Sequence, residues 1–131
     1  MDKNKKRVLV AEDNAGLAHV MSFNLRALDL EVAVAANGQL AWEMAQAQPF
    51  DLVVTDHEMP RLTGIELCTR LRQLPEYATT PIIMVTAREL ELDLKNLRDK
   101  LSIGAIFSKP YSPARIKEKA AELLTAVATG V

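Results

Sequence analysis

The sequence predicts a doubly wound α/β domain, an open parallel sheet with helices on both faces. Two observations predict it. Five short β-rich runs alternate with segments whose apolar residues step at helical spacing: RVLVA (7–11), EVAVAA (31–36), DLVVT (51–55), PIIMVT (81–86) and AIFS (105–108). Four of these runs are nearly continuous in apolar residues, as suits parallel strands covered from both sides, while EVAVAA carries more small residues and is expected at an edge. Because each strand–helix–strand crossover returns right-handed, this alternation with short connections leaves few other architectures.

The helices follow in order. Leu17, Val20, Met21, Leu25 and Leu28 form one apolar stripe, and Leu40, Ala41, Met44 and Ala45 a second that Pro49 ends. Leu67, Leu71 and Leu74 mark a third helix, opened at Thr63-Gly64 and closed by Pro75. Leu90, Leu94, Leu97 and Leu101 mark a fourth. Ile116, Ala120, Leu123, Leu124 and Val127 mark a fifth, with Ser112-Pro113 as cap and first turn. The 131 residues are expected to form one domain, with a core of about 7–127 behind a basic leader, 1–6.

A formal net charge of −1 gives no reason to expect nucleic acid or an anionic membrane as the partner. Cys68 is the only cysteine, which excludes an intramolecular disulfide and a thiolate metal site. No apolar run approaches the length of a membrane span and the N-terminus has no signal-peptide core, so a cytoplasmic protein is expected. His57 and His19 are expected at the surface, and Trp42 as partly buried packing.

In open α/β sheets, sites form beyond the carboxyl ends of the strands. The residues there are Glu12 and Asp13 after the first strand, Asp56 at the third, Thr86 at the fourth and Lys109 at the fifth. Each has an ordinary reading by itself: Asp13 or Asn14 as a helix cap, Asp56 as a turn residue, Thr86 as a strand end, Lys109 as a solvated lysine. Together they would bring three carboxylates, a hydroxyl and an ammonium to one edge of one sheet. Crowded carboxylates raise one another's pKa unless a cation joins them. An all-oxygen donor set suits Mg²⁺, which binds through one or two carboxylates and phosphate oxygens. A phosphoryl group on Asp56 would meet that cation, Lys109 and Thr86, and carboxylate nucleophiles that carry phosphoryl groups are an established class.

On these residues the sequence resembles the response-regulator receiver domain of bacterial two-component systems, over about residues 7–127. VLVAEDN resembles the family's first strand and acid pair, DLVVTDHEMPRLTGIEL its phosphoacceptor segment, PIIMVTA its switch strand and SKPYSP its lysine turn. The resemblance implies a flavodoxin-like (βα)5 fold with strand order 2-1-3-4-5. It implies Asp56 as phosphoacceptor, Thr86 as switch hydroxyl and Lys109 as phosphate partner. Mg²⁺ would be held by Glu12, Asp13, Asp56 and the Glu58 backbone carbonyl. The donor would be a sensor histidine kinase or phosphotransfer protein, and a downstream protein would read the surface of helix 4, strand 5 and helix 5. The chain would be a phosphoprotein, not a turnover enzyme.

Three features depart from the family or modulate it. The aromatic residue expected three before the lysine is replaced by Ile106, and alternation points Phe107 to the opposite face. Ring rotation is then not the relay, and backbone or helix-four movement is expected to carry the signal. Gly104-Ala105 sits close to Lys109 and ELELDLKNLRDKLSI is long, so helix four is expected to be extended or reoriented, with Leu92 off its apolar stripe. The resemblance implies that Glu58 and Arg88 occupy positions flanking the phosphate, with Ala87 a further modulating position, and Glu58 and Arg88 either pair across the mouth or are solvated separately. Two other readings are a pseudo-receiver that binds without being phosphorylated, and a phosphatase using Asp56 as covalent nucleophile. Glu58 in place of a second Asp, and the lack of a cap to enclose substrate, speak against the phosphatase.

Overall fold

The computed structural model describes residues 5–87 and 93–128, apart from the side chains at 94, 127 and 128. Five parallel strands, β1 (Arg7–Ala11), β2 (Glu31–Ala35), β3 (Leu52–Asp56), β4 (Ile82–Thr86) and β5 (Ala105–Ser108), form one sheet in the order β2-β1-β3-β4-β5. The helices are α1 (Ala15–Arg26), α2 (Gly38–Ala47), α3 (Gly64–Arg72), α4 (Leu94–Leu101) and α5 (Pro113–Ala128), with a 3-10 turn at Pro75–Tyr77. This is the flavodoxin-like (βα)5 arrangement, and β2 lies at the expected edge with only Ala35 fully buried.

Period-two alternation along the central strands builds two core layers. Leu9, Val53, Met84 and their neighbours face α2, α3 and α4, whereas Val8, Val10, Val54, Ile83 and Val85 face Met21 and Leu25 of α1 and Ile116 and Ala120 of α5. Each fully buried Val, Leu or Ile contributes about 1.5–3 kcal/mol relative to exposure. Ile106 packs on the first layer and Phe107 on the second, as the alternation argument requires.

Cap chemistry sets the helix starts. Asn14 caps α1 through Leu17 N–H, Asn37 caps α2, Thr63 and Glu66 form a reciprocal capping box on α3, and Asp93 caps α4. The Arg72 guanidinium donates to the carbonyls of Leu101 (2.8 Å), Tyr77 (2.7 Å), Thr80 (2.8 Å) and Ser102 (3.0 Å). It thereby ties the end of α3 to the end of α4 and to the approach to β4.

One sequence expectation needs correction. In α1, Leu17 and Val20 are exposed, and the buried face is Ala18, Met21, Ser22 and Leu25. The helix turns small residues toward the sheet, which allows a close approach, and leaves two members of the expected stripe outside. In α4, the described helix runs Leu94–Leu101 and starts after its Asp93 cap. Leu90 and Leu92 lie outside the described residues.

Candidate functional site

The carboxyl edge of the sheet gathers the residues at the strand ends. Parallel pairing continues past the strands: His57 N–H donates to Val85 O at 2.9 Å, and Lys109 N–H to Thr86 O at 2.9 Å. These two bonds set Asp56, Thr86 and Lys109 side by side. Below them, the N-terminus of α3 presses against the acceptor loop. A Cβ on Gly64 would lie 2.5 Å from Asp56 O and 2.8 Å from His57 Cα, so only glycine fits.

Asp56 is 2% exposed and Thr86 fully buried. The Lys109 ammonium sits 2.7 Å from each Asp56 carboxylate oxygen, aligned for a hydrogen bond to Oδ2. Asp56 Oδ1 is buried with no hydrogen-bond partner among the described residues. Glu12 is 5% exposed, and its Oε2 accepts the Asn14 N–H at 3.1 Å. Since Asn14 caps α1, Asp13 is left uncapping and exposed at the rim. Oxygen atoms of Glu12, Asp13 and Asp56 fall within 4.8 Å of one another.

These carboxylates are strained electrostatically. Burial pushes Glu12 up to about 7, with the Asp56 charge adding to the shift and the Asn14 N–H opposing it. Burial likewise raises Asp56, against the pull of Lys109. For Lys109, burial works against the ammonium, but its bond to Asp56 and the surrounding carboxylates hold its pKa above the ordinary lysine value. A hard divalent cation fits this set: the donors are oxygens, and three clustered carboxylates face a single ammonium.

Glu58 is the residue whose setting the sequence did not foresee. Its Oε2 accepts the Thr86 hydroxyl at 2.5 Å and its Oε1 the Ala87 N–H at 2.9 Å, with Lys109 Nζ 3.7 Å away. Burial alone would raise its pKa; those two bonds and the Lys109 charge outweigh it and lower it. Arg88, the suggested partner of Glu58, lies outside the described residues.

His57 is corrected from a surface residue to a buried one, 6% exposed, whose Nδ1 accepts the Ile65 N–H at 3.3 Å. His19 is exposed and Trp42 half-buried, as expected. Tyr111 also went unnoticed in the sequence. Burial, together with the Glu12 and Asp56 charges, pushes its phenol up to about 12, so it stays neutral beside the acids.

A family profile described as the response regulator receiver domain matches residues 8–121. The chain is 33% identical over 119 residues to the alkaline phosphatase synthesis transcriptional regulatory protein PhoP of Bacillus subtilis, covering 91% of this chain and 48% of that protein. It thus spans about half the length of that relative. The structure resembles that of the chemotaxis response regulator CheY4 of Vibrio cholerae, with a TM-score of 0.82, 27% identity, and 92% and 99% of the two chains covered. It also resembles the receiver domain of the sensor histidine kinase PA1611 of Pseudomonas aeruginosa, solved with a magnesium ion coordinated in its active-site cleft. That match has a TM-score of 0.81 and 26% identity, and covers 92% and 98% of the two chains. With fold, strand-end residues and sequence relatives in agreement, the chain belongs to the response regulator receiver domain family of two-component systems.

Proposed function

We propose that this receiver is a phosphoacceptor, in which Asp56 takes a phosphoryl group from a phosphohistidine of a sensor histidine kinase or phosphotransfer protein. The buried Asp56 carboxylate, ion-paired with Lys109 and gathered with Glu12 and Asp13, carries the proposal. Oδ1 attacks phosphorus as the P–N bond of the donor breaks. The imidazole leaves with that electron pair, neutral when its other ring nitrogen carries a proton. Lys109 and the Thr86 hydroxyl then donate to the phosphoryl oxygens, and positioning and charge neutralisation supply most of the rate. Glu12, Asp13, Asp56 and the Glu58 carbonyl would hold Mg²⁺, which when bound neutralises the acids and ligates phosphoryl oxygen. Hydrolysis of the acyl phosphate resets the site, so the chain is not a turnover enzyme.

A groove beside the site supports a docking path for the donor. A groove of about 380 Å³ is lined by Leu17, Val20, Pro110, Tyr111, Pro113 and Lys109, the last of which also contacts Asp56. Apolar side chains bordering the attacked carboxylate suit the protein that carries the phosphohistidine. Asp substitution of Leu17 and Val20 together should slow phosphotransfer from a protein donor about tenfold or more, since each buried aliphatic contact contributes about 1.5–3 kcal/mol. Labelling by a small acyl phosphate should be unchanged; equal loss with both donors would place the groove outside the docking surface.

On the opposite flank, the groove between α4, β5 and α5 presents Arg98, Arg115 and Lys119 with Glu118 and Glu122. Charges of both signs suit a protein reader in the cytoplasm rather than nucleic acid or a membrane.

The test of the phosphoacceptor reading is intact-protein mass after incubation with a small acyl-phosphate donor, with and without Mg²⁺. One Mg²⁺-dependent phosphoryl adduct is expected, absent from Asp56→Ala. Folded wild-type protein that gains no adduct would instead be a pseudo-receiver.

A further inference from the structure

The hydrogen-bond donors that an acyl phosphate on Asp56 would use already have an occupant, and it belongs to the chain. On that reading a phosphoryl group would meet the Thr86 hydroxyl and the Lys109 ammonium, and the Ala87 N–H lies beside them at the end of β4. All three meet the Glu58 carboxylate, at 2.5, 2.9 and 3.7 Å. Lys109 is shared, because its Nζ lies 2.7 Å from Asp56 as well. A carboxylate offers two anionic oxygens, as do any two oxygens of a phosphoryl group, and bonds to charged acceptors are about twice as strong as neutral ones.

We propose that Glu58 is a built-in stand-in for the phosphoryl group, a positioning residue that holds Thr86 and Ala87 before phosphorylation and has to be displaced by it. The proposal rests on the reading of Asp56 as phosphoacceptor.

The local structure explains why Glu58 can do this. The loop after β3 is pinned by Met59 N–H and Gly64 N–H, both donating to His57 O at 3.0 Å. With the backbone held, a side chain two residues beyond Asp56 extends across the mouth toward the end of β4. Thr86 is fully buried, and its hydroxyl donates to the Glu58 carboxylate, a charge-assisted bond that holds the side chain toward the mouth. When the P–O bond to Asp56 forms and the donor's bond to phosphorus breaks, the new anion competes for the same donors. Like-charge repulsion then drives Glu58 outward. Glu58 thereby lowers the affinity of the free site for phosphoryl groups and keeps the end of β4 ordered in the free protein.

The test combines two readouts on wild type, Glu58→Ala and Glu58→Gln, each shown to be folded by circular dichroism. The first is amide exchange at Ala87 by NMR, with neither Mg²⁺ nor a phosphodonor present. Exchange should quicken about tenfold or more in Glu58→Ala, since loss of a bond to a charged acceptor is a difference of at least that size. Glu58→Gln keeps an acceptor without the charge and should fall between. The second is the affinity for beryllofluoride with Mg²⁺, a phosphoryl mimic that needs no chemical step. It should rise about tenfold in Glu58→Ala by the same arithmetic. Equal Ala87 exchange in wild type and Glu58→Ala would overturn the proposal, as would equal beryllofluoride affinity. If Ala87 loses protection while neither protein binds beryllofluoride, the phosphoacceptor reading itself fails. Glu58 would then be only a structural anchor for the end of β4.

Discussion

Lys109→Met should destabilise the metal-free protein by about 3 kcal/mol near neutral pH, the scale on which removing one partner of a buried pair exposes the cost of the other. Methionine keeps the packing of the aliphatic stem, so the effect isolates the ammonium. Asp56 has a side-chain exposure of 1% and its nearest cation is Lys109 Nζ at 2.7 Å. The Asp56 pKa is already raised by burial in spite of Lys109, and it rises further when Lys109 is gone. A carboxyl whose folded pKa exceeds its unfolded value of about 3.9 binds more protons when folded, so stability falls as pH rises between those two values. The deficit should therefore be small near about pH 4 and grow toward a plateau at neutral pH. Urea titrations at the two pH values check this, and adding Asp56→Asn to Lys109→Met should recover most of the loss. A Lys109→Met protein as stable as wild type at neutral pH would mean that solvent screens the pair, contrary to the burial of Asp56.

The sequence carried the fold through its strands more than its helices. Runs such as VLVA and IIMV have to be covered on both faces, and they mark the three central strands of the sheet. The helix faces were harder. Leu17 and Val20 match the helical period, yet α1 buries Ala18 and Ser22 because small residues let it lie close to the sheet. Apolar character does not decide burial, since apolar atoms make up over half of a folded surface. Among site residues, the strand ends were legible because the topology brings them to one edge. The choice between Asp13 and Asn14 as cap was settled only by the Asn14 bond to Leu17 N–H. The burial of His57 and the reach of Glu58 depend on how the loop after β3 doubles back over Gly64, a tertiary feature no local pattern encodes.

Mg²⁺ should stabilise this protein strongly at neutral pH and much less in mild acid. In the metal-free protein, burial of Glu12, helped by the Asp56 charge, raises its carboxyl from 4.5 to about 7. The folded state therefore holds a proton that the unfolded state has released, and stability declines as pH rises from about 4.5 to about 7. Asp56, also raised by burial, contributes in the same direction. A cation bound by Glu12, Asp13 and Asp56 removes the reason for that proton, so binding at lower pH has to displace it. With one proton displaced, affinity should drop up to about tenfold for each pH unit below about 7. An ion present at about 100 times its Kd stabilises by about 2.7 kcal/mol, and a tenfold weaker Kd removes about 1.4 kcal/mol of that. Thermal melts with and without Mg²⁺, near about pH 7.5 and about pH 5.5, should thus show a clear upward shift in Tm at the higher pH and a fraction of it at the lower. Asp56→Asn removes one charged ligand and should weaken the response at both. A pH-independent Mg²⁺ shift would mean that the cation binds without contacting the buried acid, which would move the metal site from Glu12 and Asp56 toward the exposed rim at Asp13.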